Sequence, residues 1–257
     1  MNDPASTPVQ RLERPGGGHI AYRSTPATRQ GLPGVVFIHG LRSDMDGGKA
    51  ETLETFLAER GQAYVRFDCT GHGRSSGKFE ETTLADWADD ALLVFDTLTT
   101  GPQIVVGSSM GGWLMLLTGL ARPARATGLV GIAAAPDFTA RFQEELSPSD
   151  RETLRREGRL LRPTDYDAEP YVFTREMLDA GAARTVLDKP LAYKGGVRLL
   201  HGMLDDAVPW RLSLEIAEKA ETKNVRVHLI KDGDHRLSRE SDLALLRATV
   251  AELSEAV

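Results

Sequence analysis

Cysteine is almost missing from this chain of 257 residues: Cys69 is the only one, so no internal disulfide can form. Long apolar runs are missing too, and none approaches the roughly 20 residues that a membrane-spanning helix needs. Integral membrane association is therefore not expected. Met1–Pro8 is polar with no hydrophobic centre, which reads against a secretory signal. The same stretch carries Asp3 and no arginine, which reads against a mitochondrial address. With one thiol and no signal, the expected setting is a reducing cytoplasm, and the excess of arginine over lysine suggests a bacterial source. Positive charge is not in surplus either. A net charge of −6 argues against nucleic acid or an anionic membrane as partner. There is no H-E-x-x-H and no cysteine pair, so no metal is expected.

What is present reads as an α/β protein. Strand-like runs recur near 19–23, 35–39, 63–67, 104–108, 128–134, 197–201 and 225–230. Gly16-Gly17-Gly18 suggests a hairpin before the first of them. Helical patterns at 49–60, 110–121, 211–221 and 239–254 fill most of the gaps. Leu84, Ala88, Ala91, Leu92 and Phe95 share one face of a further helix, which Thr83 and Asp86 can cap. This alternation implies a mostly parallel sheet flanked by helices, with a functional site at the carboxyl ends of its strands. Residues 136–190 break the alternation, with dense charge and with Pro163, Pro170 and Pro190. The expected organisation is a core of 1–135 and 191–257 with a small helical cap inserted at 136–190.

Gly107-Ser108-Ser109-Met110-Gly111 matches the G-x-S-x-G nucleophile elbow, between a β-branched run and an apolar helical one. Such a turn strains the central residue and leaves room for little more than glycine beside it. It also sets Ser109 Oγ above a helix N-terminus. The remaining groups must then follow in the order serine, acid, histidine. Of the six histidines only His201, His228 and His235 lie beyond Ser109. His228 is inside a strand and His201 precedes the acid. His235, in the loop after a strand, is the candidate base. Gly202-x-x-Asp205-x-x-Val208-Pro209 selects Asp205 as the acid, with Asp206 and Asp137 as alternatives. The backbone N–H groups of Leu41 and Met110 are the candidate oxyanion donors. His39 reads as a residue that orients its loop, and the glycines of Asp68–Ser75 as scaffold.

These motifs, together with Leu41–Ala50, Arg66-Phe67-Asp68, Gly71–Gly77, Pro102–Leu116, His201–Trp210 and Asp234-His235-Arg236, resemble the α/β-hydrolase superfamily over essentially the whole chain. Within it the chain is similar to the subfamily of acyl-glucuronide esterases and palmitoyl-protein thioesterases and their bacterial relatives. The resemblance implies an α/β-hydrolase fold and cofactor-free hydrolysis of carboxylic esters or thioesters, through Ser109, Asp205 and His235. The substrate would be a small or acylated molecule. Cleavage of a carbon–carbon or amide bond on the same triad is the alternative, and a non-catalytic binder a more remote one. Oligomeric state is not legible.

Overall fold

Every side chain of Val35-Val36-Phe37-Ile38 is apolar, so a strand made of them must be covered on both faces. The computed structural model, which describes residues 7–164 and 169–256, meets that demand. Residues 1–6, in the N-terminal stretch read above for targeting, and residues 165–168 of the inserted segment lie outside the described residues, as does residue 257.

The chain opens with a hairpin of β1 (Gln10–Glu13) and β2 (His19–Thr25), turned through the three glycines. Then come β3 (Gly34–Ile38), α1 (Gly48–Arg60), β4 (Tyr64–Phe67), α2 (Leu84–Leu98), β5 (Gln103–Ser108), α3 (Met110–Ala121) and β6 (Ala126–Ile132). The inserted segment holds α4 (Phe138–Glu145), α5 (Pro148–Glu157), β7 (Arg159–Arg162), β8 (Tyr171–Thr174) and α6 (Arg175–Ala182). Finally β9 (Gly196–Gly202), α7 (Arg211–Lys219), β10 (Val225–Ile230) and α8 (Glu240–Glu255) complete the fold. Thr83 and Asp86 form the expected capping box on α2. The inserted segment is not wholly helical. Its β7 and β8 pair antiparallel as a separate two-stranded sheet, too short and too arginine-rich to stand out in the sequence.

Eight strands form the main sheet in the order β1-β2-β4-β3-β5-β6-β9-β10. β1 and β2 run antiparallel at one edge, and the other six are parallel. Alternate residues feed two cores. On one face Val36, Ile38, Val105 and Leu199 pack with Trp87 of α2, Trp113 of α3 and Ile216 of α7. On the other Val35, Phe37, Val106 and Leu200 pack with Leu53 of α1 and Val250 of α8. Burial on both faces fixes the register, because a slip of one residue would exchange the two apolar sets.

Backbone packs closely where β5 turns into α3. A Cβ on Gly107 would stand 2.1 Å from the Gly111 carbonyl oxygen, and one on Gly111 only 2.2 Å from the Ile38 carbonyl oxygen. Both glycines have ordinary negative φ, so they are needed for space and not for conformation. Gly111→Ala should therefore destabilise by about 2 kcal/mol or more in urea unfolding, since backbone must move to admit the methyl. Gly48→Ala has no atom within 4 Å of its new methyl and should stay within about 0.5 kcal/mol of wild type.

Beneath the loop after β3, the His72 ring lies 4.9 Å from the His39 ring, 5.2 Å from Phe79 and 5.3 Å from Trp87. Burial pushes its pKa down to about 3, and its Nε2 has no partner among the described residues. The folded protein thus holds His72 neutral, while the unfolded chain binds a proton there below about pH 6.5. Stability from this group is complete above that pH and falls as the pH drops toward 3. Between pH 7.5 and pH 5, wild type should lose about 2 kcal/mol more than His72→Gln, measured as the difference in unfolding free energy.

Candidate active site

Strain is concentrated at Ser109, which joins β5 to α3 with φ 54° and ψ −118°. The end of β6 holds it there. Ser109 N–H donates to the Ile132 carbonyl at 2.9 Å, and the Ser109 carbonyl accepts from Ala135 N–H at 3.0 Å and Gly112 N–H at 2.8 Å. Ser108 is buried in the strand itself, whereas Ser109 is partly exposed. Gly40 passes close beside it: a Cβ there would lie 3.3 Å from Ser109 Cβ and 3.9 Å from its Oγ.

Asp205 and His235 meet although 30 residues separate them. Their loops follow β9 and β10, which are neighbours and parallel. His235 Nδ1 donates to Asp205 Oδ2 at 2.8 Å. A carboxylate oxygen only accepts, so Nδ1 carries the hydrogen and Nε2 is the lone-pair nitrogen. The Asp205 side chain is fully buried and uses all of its accepting capacity. Oδ1 takes Ala207 N–H at 3.0 Å and Val208 N–H at 2.7 Å, and Oδ2 takes His235 and, at 3.1 Å, His201 Nε2. Burial alone would raise its pKa. The two histidine donors outweigh that and hold it well below the usual carboxylate range.

The alternative acids lie elsewhere. Asp206 is exposed. Asp137 sits at φ 58° with both oxygens engaged, accepting Val186 N–H at 2.9 Å and Leu187 N–H at 2.8 Å. Its carboxylate ties together the two ends of the inserted segment. His228 remains within β10. His39 orients its loop as read: Nδ1 donates to the Gly40 carbonyl at 2.7 Å and Nε2 accepts Cys69 N–H at 3.0 Å. Leu41 follows that carbonyl, and Met110 is the first residue of α3. Among the described residues, neither backbone N–H donates to a protein acceptor. His201 was passed over in the sequence as too early to be the base. Its spacing of four from Asp205, across a strand end and a turn, was the only available sign of contact.

A sequence model described as the Alpha/beta hydrolase family matches residues 35–249. The palmitoyl-protein thioesterase ABHD10, mitochondrial, of Bos taurus is 38% identical over 248 residues, 96% of this chain and 80% of that protein. Its Mus musculus counterpart is 39% identical over 250 residues, 95% of this chain and 81% of that protein. The solved structure of alpha/beta hydrolase domain-containing protein 10 from mouse superposes with a TM-score of 0.91, covering 97% of this chain and 99% of its own at 35% identity. A hydrolase from Agrobacterium vitis S4 gives 0.92 at 33% identity, covering 98% of this chain and all of its own.

These relatives correct one expectation. The bovine and mouse proteins are animal proteins named as mitochondrial, so the cytoplasmic and bacterial setting inferred from composition does not stand. The inference leaned on a single thiol, yet Cys69 is completely buried and its reduced state reports nothing about the surrounding compartment. Among the described residues no helix is long and apolar enough to cross a membrane. The resemblance read from the motifs extends over nearly the whole length in sequence and in space, and the chain belongs to the alpha/beta hydrolase family.

Proposed function

We propose that this protein is a serine hydrolase of carboxylic esters or thioesters, with Ser109 as nucleophile, His235 as base and Asp205 as acid. One observation carries the reading: a buried, ionised Asp205 bonded to His235 Nδ1, in loops at the same carboxyl edge of the sheet as the strained Ser109. In the first half-reaction Ser109 Oγ bonds to the substrate carbonyl carbon while its proton passes to His235 Nε2. The oxyanion that forms would be met by Leu41 and Met110 N–H. The peptide between Gly40 and Leu41 is planar and trans, so its N–H points opposite to the carbonyl that His39 and Ser43 N–H hold. The intermediate collapses by breaking the bond to the leaving oxygen or sulfur, which takes the proton from His235. Water then repeats the sequence on the acyl-enzyme and releases the acid.

Within this reading, residues 136–190 act as a cap and the substrate carries a long or bulky acyl group. Two facts support that. The Bos taurus and Mus musculus relatives are named palmitoyl-protein thioesterases, and the segment presents aromatic rings to the core beside the elbow. Phe138 of α4 packs edge-on against Trp113 of α3 at 5.6 Å, and Phe142 and Phe173 lie 4.5 Å apart.

A fluorophosphonate probe and an ester assay test the triad. Ser109→Ala should abolish labelling and lower kcat by roughly a million-fold, while Ser108→Ala keeps most activity. Asp205→Asn should cost about 10⁴ in kcat. Asp137→Asn should leave kcat within about tenfold of wild type and instead lower stability by about 1–3 kcal/mol, through a lost buried hydrogen bond. A larger loss of turnover at Asp137 or Ser108 would reassign the site. For the cap, Phe142→Ala with Phe173→Ala should flatten the dependence of kcat/KM on acyl length and leave labelling by a small fluorophosphonate unchanged. Each methylene that loses its apolar wall should cost about fourfold, from roughly 0.8 kcal/mol. An unaltered chain-length profile would remove the cap from the substrate site.

A further inference from the structure

The Asp205 carboxylate serves two histidines, and the catalytic scheme uses only one of them. His201 closes β9 and is completely buried. Its Nε2 lies 3.1 Å from Asp205 Oδ2 and 3.0 Å from the Val208 carbonyl oxygen. Both are acceptors, so Nε2 carries the hydrogen and shares it between them. Its Nδ1 lies 2.7 Å from Ser213 Oγ, in the first turn of α7. With Nε2 protonated, the neutral ring needs a donor at Nδ1, and the Ser213 hydroxyl supplies it. Ser213 is itself buried at 0% exposure, so solvent does not compete for this role.

The result is a directed chain from Ser213 Oγ–H through His201 to Asp205 Oδ2, the same oxygen that accepts His235 Nδ1–H. We propose that His201, fixed in one tautomer by Ser213, is a positioning residue for the acid: it anchors Asp205 Oδ2 and takes up part of the charge that His235 would otherwise face alone. This rests on the triad reading above. A carboxylate oxygen that already accepts one hydrogen bond stabilises a second donor less. His201 therefore moderates the pull of Asp205 on the imidazolium formed when Ser109 attacks.

Other charges surround the base. Lys49 of α1 donates from Nζ to the Arg236 carbonyl at 2.6 Å, Asp234 Oδ1 accepts Leu237 N–H at 2.9 Å, and Arg236 and Asp206 lie in the two loops themselves. None is altered by a change at His201 or Ser213, so their influence cancels between variant and wild type.

The test is the pH profile of kcat/KM on a soluble ester, with the His235 ring followed in parallel by NMR titration in the inactive Ser109→Ala background. Removing the donor with His201→Leu should raise the pH midpoint of the acid limb, and the His235 midpoint by NMR, by about half a unit, the scale of one ordinary neutral hydrogen bond. His201→Gln retains an N–H donor and should stay closer to wild type than His201→Leu. Ser213→Ala should shift the midpoint in the same direction by less, and Ser213→Thr should restore it. Equal falls in kcat for the two His201 variants with no movement of either midpoint would overturn the proposal and leave His201 as packing. If His201→Leu does not fold, the Ser213 pair reads the same shift, and an unmoved midpoint there overturns it as well. Failure of the triad reading looks different: Ser109→Ala would keep its activity, or Asp205→Asn would turn over at the wild-type rate.

Discussion

One contact between backbones governs the site: the Ile38 carbonyl, at the end of β3, occupies the place where a side chain on residue 111 would begin. Through it the loop after β3 and the first turn of α3 are held at a single spacing. Gly112 presses in the same way against Ala134, where a Cβ would stand 2.4 Å from the alanine methyl. Ser109, caught between these approaches and bonded to the end of β6, has no room to relax its positive φ. Strain of that kind costs on the order of 1–3 kcal/mol and persists only where its surroundings over-determine it. The two apolar cores supply that determination, and the rigidity of the sheet is thereby passed to one side chain.

The second constraint is electrostatic. A fully buried carboxylate is tolerable only when its lone pairs are met, and Asp205 meets its own from two backbone N–H groups and two imidazoles. The backbone donors come from the turn that presents Asp205, so the loop that delivers the charge also solvates it. His39 does comparable work on the opposite side of the elbow. Its neutral ring, driven to that state by burial, spans the Gly40 carbonyl and the Cys69 N–H and ties two loops together without adding charge.

Much of this was legible in the residues. The unbroken burial of β3 and β5, whose central runs are apolar, the Thr83 cap and the glycine hairpin all follow from local rules, and local rules transfer directly from sequence to backbone. That Asp205 and not Asp206 points inward was also local, since a turn presents one of two adjacent side chains inward. What could not be read depended on direction and distance together. Asp137 is a plausible acid by position after β6, and only the left-handed turn at that residue, together with two N–H groups some fifty positions away, shows its carboxylate engaged elsewhere. His201 precedes Asp205 in the chain, and nothing local marks it as a donor to that carboxylate. The β7–β8 hairpin stayed hidden because four-residue strands with arginine at both ends of one carry no clear alternation.

The Asp137 clasp has a consequence for how such a protein can change. Because Val186 and Leu187 return to the residue where the excursion departs, the segment between them is a pouch with a drawn neck. β6 and β9 pair directly with each other, yet Phe173, Met177 and Leu178 from the segment join the same apolar core as Leu129 and Leu199 of those strands. Doubling the length of such a loop adds only about 0.6 kcal/mol of closure entropy. The solvent-facing parts of the pouch are therefore free to lengthen or shorten, while Phe173, Met177 and Leu178 must keep filling the core if the sheet, the elbow and the buried carboxylate are to stay as they are.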